Sequence, residues 1–253
     1  MQRVIITGAS SGIGAALARH YNERGAVLGL IARRAAELEQ LASRLRTKAH
    51  IYPADVRDSA ALQTAAADFL AREGAPDIVI ANAGISVGTL TEHANDLGVL
   101  QDVIDTNLVG MAGIFQPFVA SMREAGRGAL VGIASVAGYR GLPGASAYSA
   151  SKAAAISYLE SLRVELRASG VKVITICPGY IATPMTERNP YPMPFLLSAE
   201  AAARKIAAII ERGQGYAVIP WQMAIVARIL RVLPNWLYDR LFSNAPRKPR
   251  RAQ

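Results

Sequence analysis

At 253 residues the chain is long enough to bury the core of one large α/β domain, and no linker-like stretch divides it in two. With 51% apolar and 19% charged residues it has neither a disordered nor a fibrous composition. The net charge of +9 invites an anionic partner, but seven basic residues lie between Arg228 and Arg251 against one acid, Asp239. The body before them is close to balanced and shows no basic face interleaved with aromatics. A nucleic-acid reading therefore rests on the tail alone, and nucleic acid is not an expected partner.

The single cysteine, Cys177, excludes an internal disulfide and suits a reducing compartment, with the cytoplasm expected. It sits in an apolar run and reads as core. The N-terminal apolar stretch meets Gly8 too soon for a signal peptide. No uncharged apolar window of spanning length is found: the longest candidate, near the C-terminus, is cut by Arg228, Arg231 and Pro234. His20, His50 and His93 are scattered without ligand spacing, so no metal is expected.

In chain order, a β-rich run from Arg3 to Thr7 leads into Gly8-Ala-Ser10-Ser11-Gly12-Ile13-Gly14 and then a helical pattern, Ala15 to Arg24. Strand, glycine turn and helix in that order make a phosphate cradle: the backbone can approach a pyrophosphate, and the free N–H groups and dipole of the helix start favour it. The spacing is Gly-x-x-x-Gly-x-Gly. Ala26 to Ala32 reads as the second strand, ending at Arg33 and Arg34 before a helix, Ala35 to Arg46. In dinucleotide folds that strand end faces the adenosine ribose, where a guanidinium pairs with a 2′-phosphate, so the arginines point to NADP, with NADPH preferred over NADH. The alternative is two solvated residues at a helix start.

A third strand, His50 to Tyr52, precedes Asp55-Val56 and a helix from Ser59 to Glu73. Asp77 to Ala81 is the fourth strand, ending in Asn82-Ala83-Gly84. Asp96 to Met122 reads as largely helical, Gly128 to Ala134 as strand, Ala147 to Ala168 as helix and Val171 to Cys177 as strand. Apolar strands alternating with helices imply a Rossmann-type, doubly wound parallel sheet covered on both faces. Thr7-Gly8, Arg33, Asp55, Asn82, Ser135 and Pro178-Gly179 then all fall at the carboxyl ends of strands, where such sheets bind ligands.

Tyr148 and Lys152 stand four apart on a helix, one turn from each other on one face. An ammonium held near a phenol stabilises the phenolate and equips Tyr148 to exchange a proton with an alcohol or ketone. Taken alone, the same spacing occurs in any amphipathic helix.

As an ordered set, Thr7-Gly-x-x-x-Gly-x-Gly14, Asn82-Ala-Gly84, Ser135, Tyr148-x-x-x-Lys152 and Pro178-Gly179 resemble the classical short-chain dehydrogenase/reductase family over about residues 1 to 185. The resemblance implies that Ser135 polarises the carbonyl and Tyr148 donates or accepts the proton. It implies that Lys152 binds the nicotinamide ribose and lowers the tyrosine pKa, while Asn107 holds a water linking the lysine to solvent. Asp55 and Val56 would meet the adenine, Asn82, Ala83 and Gly84 the adenosine and ribose, and Ile181 with Thr183 the nicotinamide amide and diphosphate. Ala81 departs from the family, many of whose members carry a second asparagine there. The family also implies a homodimer or homotetramer, with dimer faces on the helices carrying Asn107 and Tyr148.

After Tyr216 to Pro220, a possible last strand, the chain leaves the family pattern. Trp221, Ile225, Ile229, Leu233, Leu237 and Leu241 recur at four-residue steps, interrupted by Pro234, with Arg228 and Arg231 beside them. Two readings stay open for residues 221–253. The extension lies on an anionic membrane surface, peripherally at its inner face; or a helix pair packs on the protein's own substrate loop or a second subunit, followed by a disordered solvated tail. The expected substrate loop, Met185 to Leu197, is rich in Met, Pro and aromatics and suits a hydrophobic, lipid-like substrate. The sequence thus predicts one catalytic NADP-binding domain, residues 1–220, that interconverts a secondary alcohol and a ketone by hydride transfer. A non-catalytic dinucleotide sensor or scaffold on the same fold is the alternative.

Overall fold

The computed structural model describes residues 1–187 and 189–250. Seven parallel strands form one sheet in the order β3-β2-β1-β4-β5-β6-β9, comprising β1 (Arg3–Thr7), β2 (Val27–Ala32), β3 (Ala49–Pro53), β4 (Ile78–Ala81), β5 (Gly128–Ile133), β6 (Val171–Pro178) and β9 (Tyr216–Ile219). The two-residue strands β7 (Ile181–Ala182) and β8 (Leu197–Ser198) pair apart from it. Strand direction alternates side chains between the two faces. Val4 and Ile6 join a core with Leu17 and Ile206, whereas Ile5 joins Phe69, Phe118 and Leu159 on the other side.

One face is covered by α1 (Gly12–Glu23), α2 (Ala35–Ala42) and α7 (Ala199–Arg212), the other by α3 (Ser59–Glu73), α5 (Gly110–Glu124) and α6 (Ser146–Glu165), with α4 (Asp96–Ile104) packed on α6. Phe69 and Phe118 meet edge to face with ring centroids 6.5 Å apart. Truncating such a buried aromatic to alanine costs about 3–5 kcal/mol.

Several elements differ from expectation, among them the second helix, which ends at Ala42 rather than Arg46. The first helix begins at Gly12 rather than Ala15, because the glycine turn runs directly into it. The continuous helical run Asp96–Glu124 is 29 residues long and apolar enough by composition to cross a membrane. It carries a π-turn, Asp105–Val109, and buries Met111, Phe115 and Phe118 against the sheet, as a core helix does. Helix α7 has no counterpart in the sequence reading. Ser198 caps it by accepting from the Ala201 N–H, and Arg19 of α1 pairs with its Glu200 at 3.0 Å.

After β9 come α8 (Trp221–Val232) and α9 (Asn235–Phe242), parted at Pro234. Arg140, between β5 and α6, anchors both: its guanidinium donates to the carbonyls of Leu230 (2.9 Å) and Leu233 (2.7 Å) and to Asn235 Oδ1 (2.8 Å), and lies 4.3 Å above the Tyr238 ring. The following residues correct the expectation of a disordered tail as far as Arg250; Arg251 lies outside the described residues. The Gly88 N–H donates to the Pro249 carbonyl at 3.0 Å, and Lys248 Nζ donates to Ser86 Oγ at 2.9 Å. Arg250 grips both carboxylate oxygens of buried Asp96 at 2.8 and 3.0 Å. The tail folds back because a buried carboxylate and a loop backbone need partners, and these residues supply them.

Candidate active site

The sheet order reverses between β1 and β4, opening a crevice at their carboxyl ends. The chain tightens there at two glycines. Gly8 has φ +64°, and a β-carbon on it would stand 2.9 Å from the Ala83 Cα; one on Gly14 would stand 2.3 Å from the Gly8 carbonyl oxygen. Thr7, buried at the end of β1, locks the turn to β4: its hydroxyl accepts from the N–H groups of Asn82 and Ala83, both at 3.0 Å. Asn82 was expected beside adenosine and ribose. It borders the cleft, but its amide nitrogen donates to the Thr7 carbonyl at 3.0 Å, so it also braces the turn from behind.

Every expected site residue except Gly14 and Asn107 borders one cleft of about 270 Å³. At one end, Arg33 lies 3.7 Å from Asp55 with most of its side chain exposed, and Arg34 donates to Ser10 Oγ (2.9 Å) and Ser11 Oγ (3.0 Å) while pairing with Glu37. Arg57 holds the Asp55 carboxyl below its ordinary pKa, with Arg33 adding to the effect. Val56 is buried against Gly110 of α5.

At the other end stand Ser135, Tyr148 and Lys152. Ser135, just after β5, accepts from the Ala137 N–H at 3.1 Å and donates to the Pro178 carbonyl at 3.5 Å, and its hydroxyl acts to lower the pKa of the Tyr148 phenol. Burial outweighs the effect of Ser135 and raises the phenol above its ordinary value overall. The Lys152 ammonium lies 5.9 Å from the Tyr148 ring centroid and donates at 2.7 Å to the Ile133 carbonyl. Burial brings Lys152 itself down to about 8. Tyr148 is therefore a protonated donor at neutral pH, beside a lysine that is still largely cationic.

Asn107 sits in the π-turn, fully buried. It accepts from the Ile85 N–H at 2.8 Å and donates to the Ile85 carbonyl and to Ser151 Oγ, at 3.0 and 2.9 Å. It thus ties the end of β4 to the helix carrying Tyr148.

Beyond β6, Thr186 donates to the carbonyls of Ile181 (2.6 Å) and Thr183 (3.0 Å), folding that loop so that Thr183 approaches Gly12. Met223 of α8 packs on Gly179, and the ring of Tyr191 lies 6.3 Å from that of Tyr180. Thr7 at a strand end was legible in the motif; Ser151, Thr186 and Arg57 carried no sequence signal of their own.

The cleft suits a dinucleotide: side chains are excluded at Gly8 and Gly14, hydroxyls and guanidinium groups gather at one end, and an ammonium with a phenol stands at the other. A family profile described as short chain dehydrogenase matches residues 2–192. The chain is 38% identical over 240 residues to an uncharacterized oxidoreductase of Myxococcus xanthus, covering 93% of this chain and 94% of that one. It is 33% identical over 236 residues to the cis-4-hydroxycyclohexanecarboxylate dehydrogenase of Sinomonas cyclohexanicum, covering 90% and 93%. A crystal structure of a short-chain dehydrogenase from Streptomyces avermitilis superposes with a TM-score of 0.81 at 28% identity, covering 90% of both chains. The chain belongs to the short-chain dehydrogenase/reductase family, as an NAD(P)-dependent oxidoreductase acting on CH–OH groups.

Proposed function

We propose that the protein is an NADP-preferring reductase of a hydrophobic, lipid-like ketone. The meeting of Ser135, Tyr148 and Lys152 at one end of a cleft whose other end carries Arg33 and Arg34 is the observation that supports this most. The dinucleotide supplies the hydride. Ser135 donates a hydrogen bond to the carbonyl oxygen and holds the carbonyl in place. Tyr148 Oη gives that oxygen its proton as charge develops there, and the raised phenol pKa suits a donor at neutral pH. Lys152 binds the nicotinamide ribose hydroxyls and keeps a positive charge beside the phenolate that forms. Asn107 holds the water through which the proton is replaced.

Arg33 is the 2′-phosphate partner in this reading, because its guanidinium is exposed and only weakly held, whereas Arg34 is engaged by two serines and Glu37. Asp55 and Val56 flank the adenine, and Ile181 and Thr183 the nicotinamide. Ile85, Pro184 and Met185 along the cleft support a lipid-like substrate. We read residues 1–220 as the catalytic domain, residues 221–253 as its extension, the assembly as a homodimer or homotetramer, and the setting as cytoplasmic.

Titration with NADPH and NADH, followed by nicotinamide fluorescence, tests the cofactor. NADPH should bind at least about tenfold tighter, and Arg33→Asp should abolish the difference. An unchanged preference in the variant would mean that Arg33 does not meet the phosphate. Competition between a fatty-acyl ketone and a small polar ketone tests the substrate; equal kcat/KM for the two would contradict a lipid-like substrate.

A further inference from the structure

Both tryptophans of the chain, Trp221 and Trp236, stand about two-thirds exposed, at 67% and 69%, on α8 and α9. Along α8, Trp221, Ile225, Ile229 and Val232 follow at steps of four, four and three residues. They form one stripe that is 49–79% exposed, and Leu241 of α9 adds to the apolar surface at 60%. Only Met223, Ala227 and Tyr238 of the two helices are buried. The pair is thus held to the body through the Arg140 bonds and a few side chains, with its larger apolar groups turned outward. Arg228, Arg231 and Arg240 are exposed among them, and none forms an ion pair among the described residues. Asp239 is the one acid from Trp221 to Arg250.

We propose that this face docks on the surface of an anionic lipid bilayer. At 12 and 8 residues the helices are too short to span one, which takes about 20. Tryptophans and aliphatics beside arginines are what an interfacial helix presents, the apolar groups entering at headgroup depth and the guanidinium groups meeting lipid phosphate and carboxylate. Charge argues against a second copy as the occupant. A twofold contact across α8 would set Arg228 and Arg231 near their own counterparts, with only Asp239 to offset them. The basic tail contributes little, since Lys248 and Arg250 are engaged by Ser86 and Asp96. Met223 joins α8 to Gly179, just after β6, but docking does not depend on the catalytic reading.

Because both tryptophans of the chain are exposed on these two helices, intrinsic fluorescence of the unmodified protein reports their docking directly. Vesicles of phosphatidylcholine with about 30% phosphatidylserine should shift the emission to the blue and sediment the protein, at least about tenfold more strongly than phosphatidylcholine alone. Salt at about 0.5 M should weaken binding, as should R228Q/R231Q/R240Q. W221A/W236A should lose sedimentation while retaining the fold by circular dichroism and NADPH binding. A blue emission maximum without vesicles, moving to the red on dilution together with a fall in mass, would show that a second copy covers the face and would overturn the proposal. Equal binding to both vesicle types, or none, would overturn it as well.

Discussion

Lys152 and Tyr148 are displaced from their ordinary pKa values in opposite directions by the same cause, burial, which disfavours an ammonium and a phenolate alike. Lys152 keeps its proton below about 8 and loses it as pH rises through that value, while Tyr148 stays protonated beyond its ordinary range. The kcat/KM for ketone reduction should therefore be level around neutrality and decline as pH rises past about 8. Alcohol oxidation, which needs the phenolate, should increase over the same range. A reduction profile still rising at pH about 9 would mean that the lysine cation has no part in the step. Ser135, Tyr148 and Lys152 were legible as residues because their order along the chain is itself a motif. The balance between them was not, since burial of a hydroxyl depends on side chains from several strands.

At the scale of elements, the C-terminal clasp is the feature with the clearest mechanical consequence. Residues 248–250 hold the loop after β4, and Ile85 at its start is tied by Asn107 to the helix of Tyr148. The Asp96 carboxyl is brought down to about 2 by Arg250 and the Leu90 N–H, so the clasp persists as pH falls and is lost only through that value. Removing residues 247–253, or Arg250→Gln alone, should speed amide exchange at Gly88, whose N–H is bound by Pro249. It should also raise the ketone KM several-fold, with kcat and NADPH affinity changed less than about twofold. Unaltered exchange at Gly88 would show that the loop holds its shape without the tail. The clasp was illegible in the sequence, where a basic run reads as solvated charge. Asp96 and Arg250 are 154 positions apart, and only the fold reveals a buried carboxylate in need of that partner. Helix α7 differs: Ala199, Ala202, Ala203, Ile206 and Ile210 carry a helical period, and all are buried against the sheet and α1.

For the whole molecule, the strands were legible because a sheet covered on both sides demands unbroken apolar runs; β2 is buried along its full length. Their carboxyl ends then located the cleft. Val109, in the turn before α5, and Val164, on α6, are 53% and 63% exposed. If the proposed homodimer forms through α5 and α6, Val164→Asp should reduce the mass measured by light scattering to that of a monomer. An unchanged mass would place the contact elsewhere.

Tyr148 is the group proposed to deliver the proton, and the most direct test of that role is the steady-state reduction of a hydrophobic ketone by Tyr148→Phe, with NADPH affinity measured in parallel. The phenylalanine keeps the ring and removes only the hydroxyl. The prediction is a fall in kcat of about 100-fold or more with NADPH binding retained. Turnover near that of the wild type would contradict it and place the proton route elsewhere.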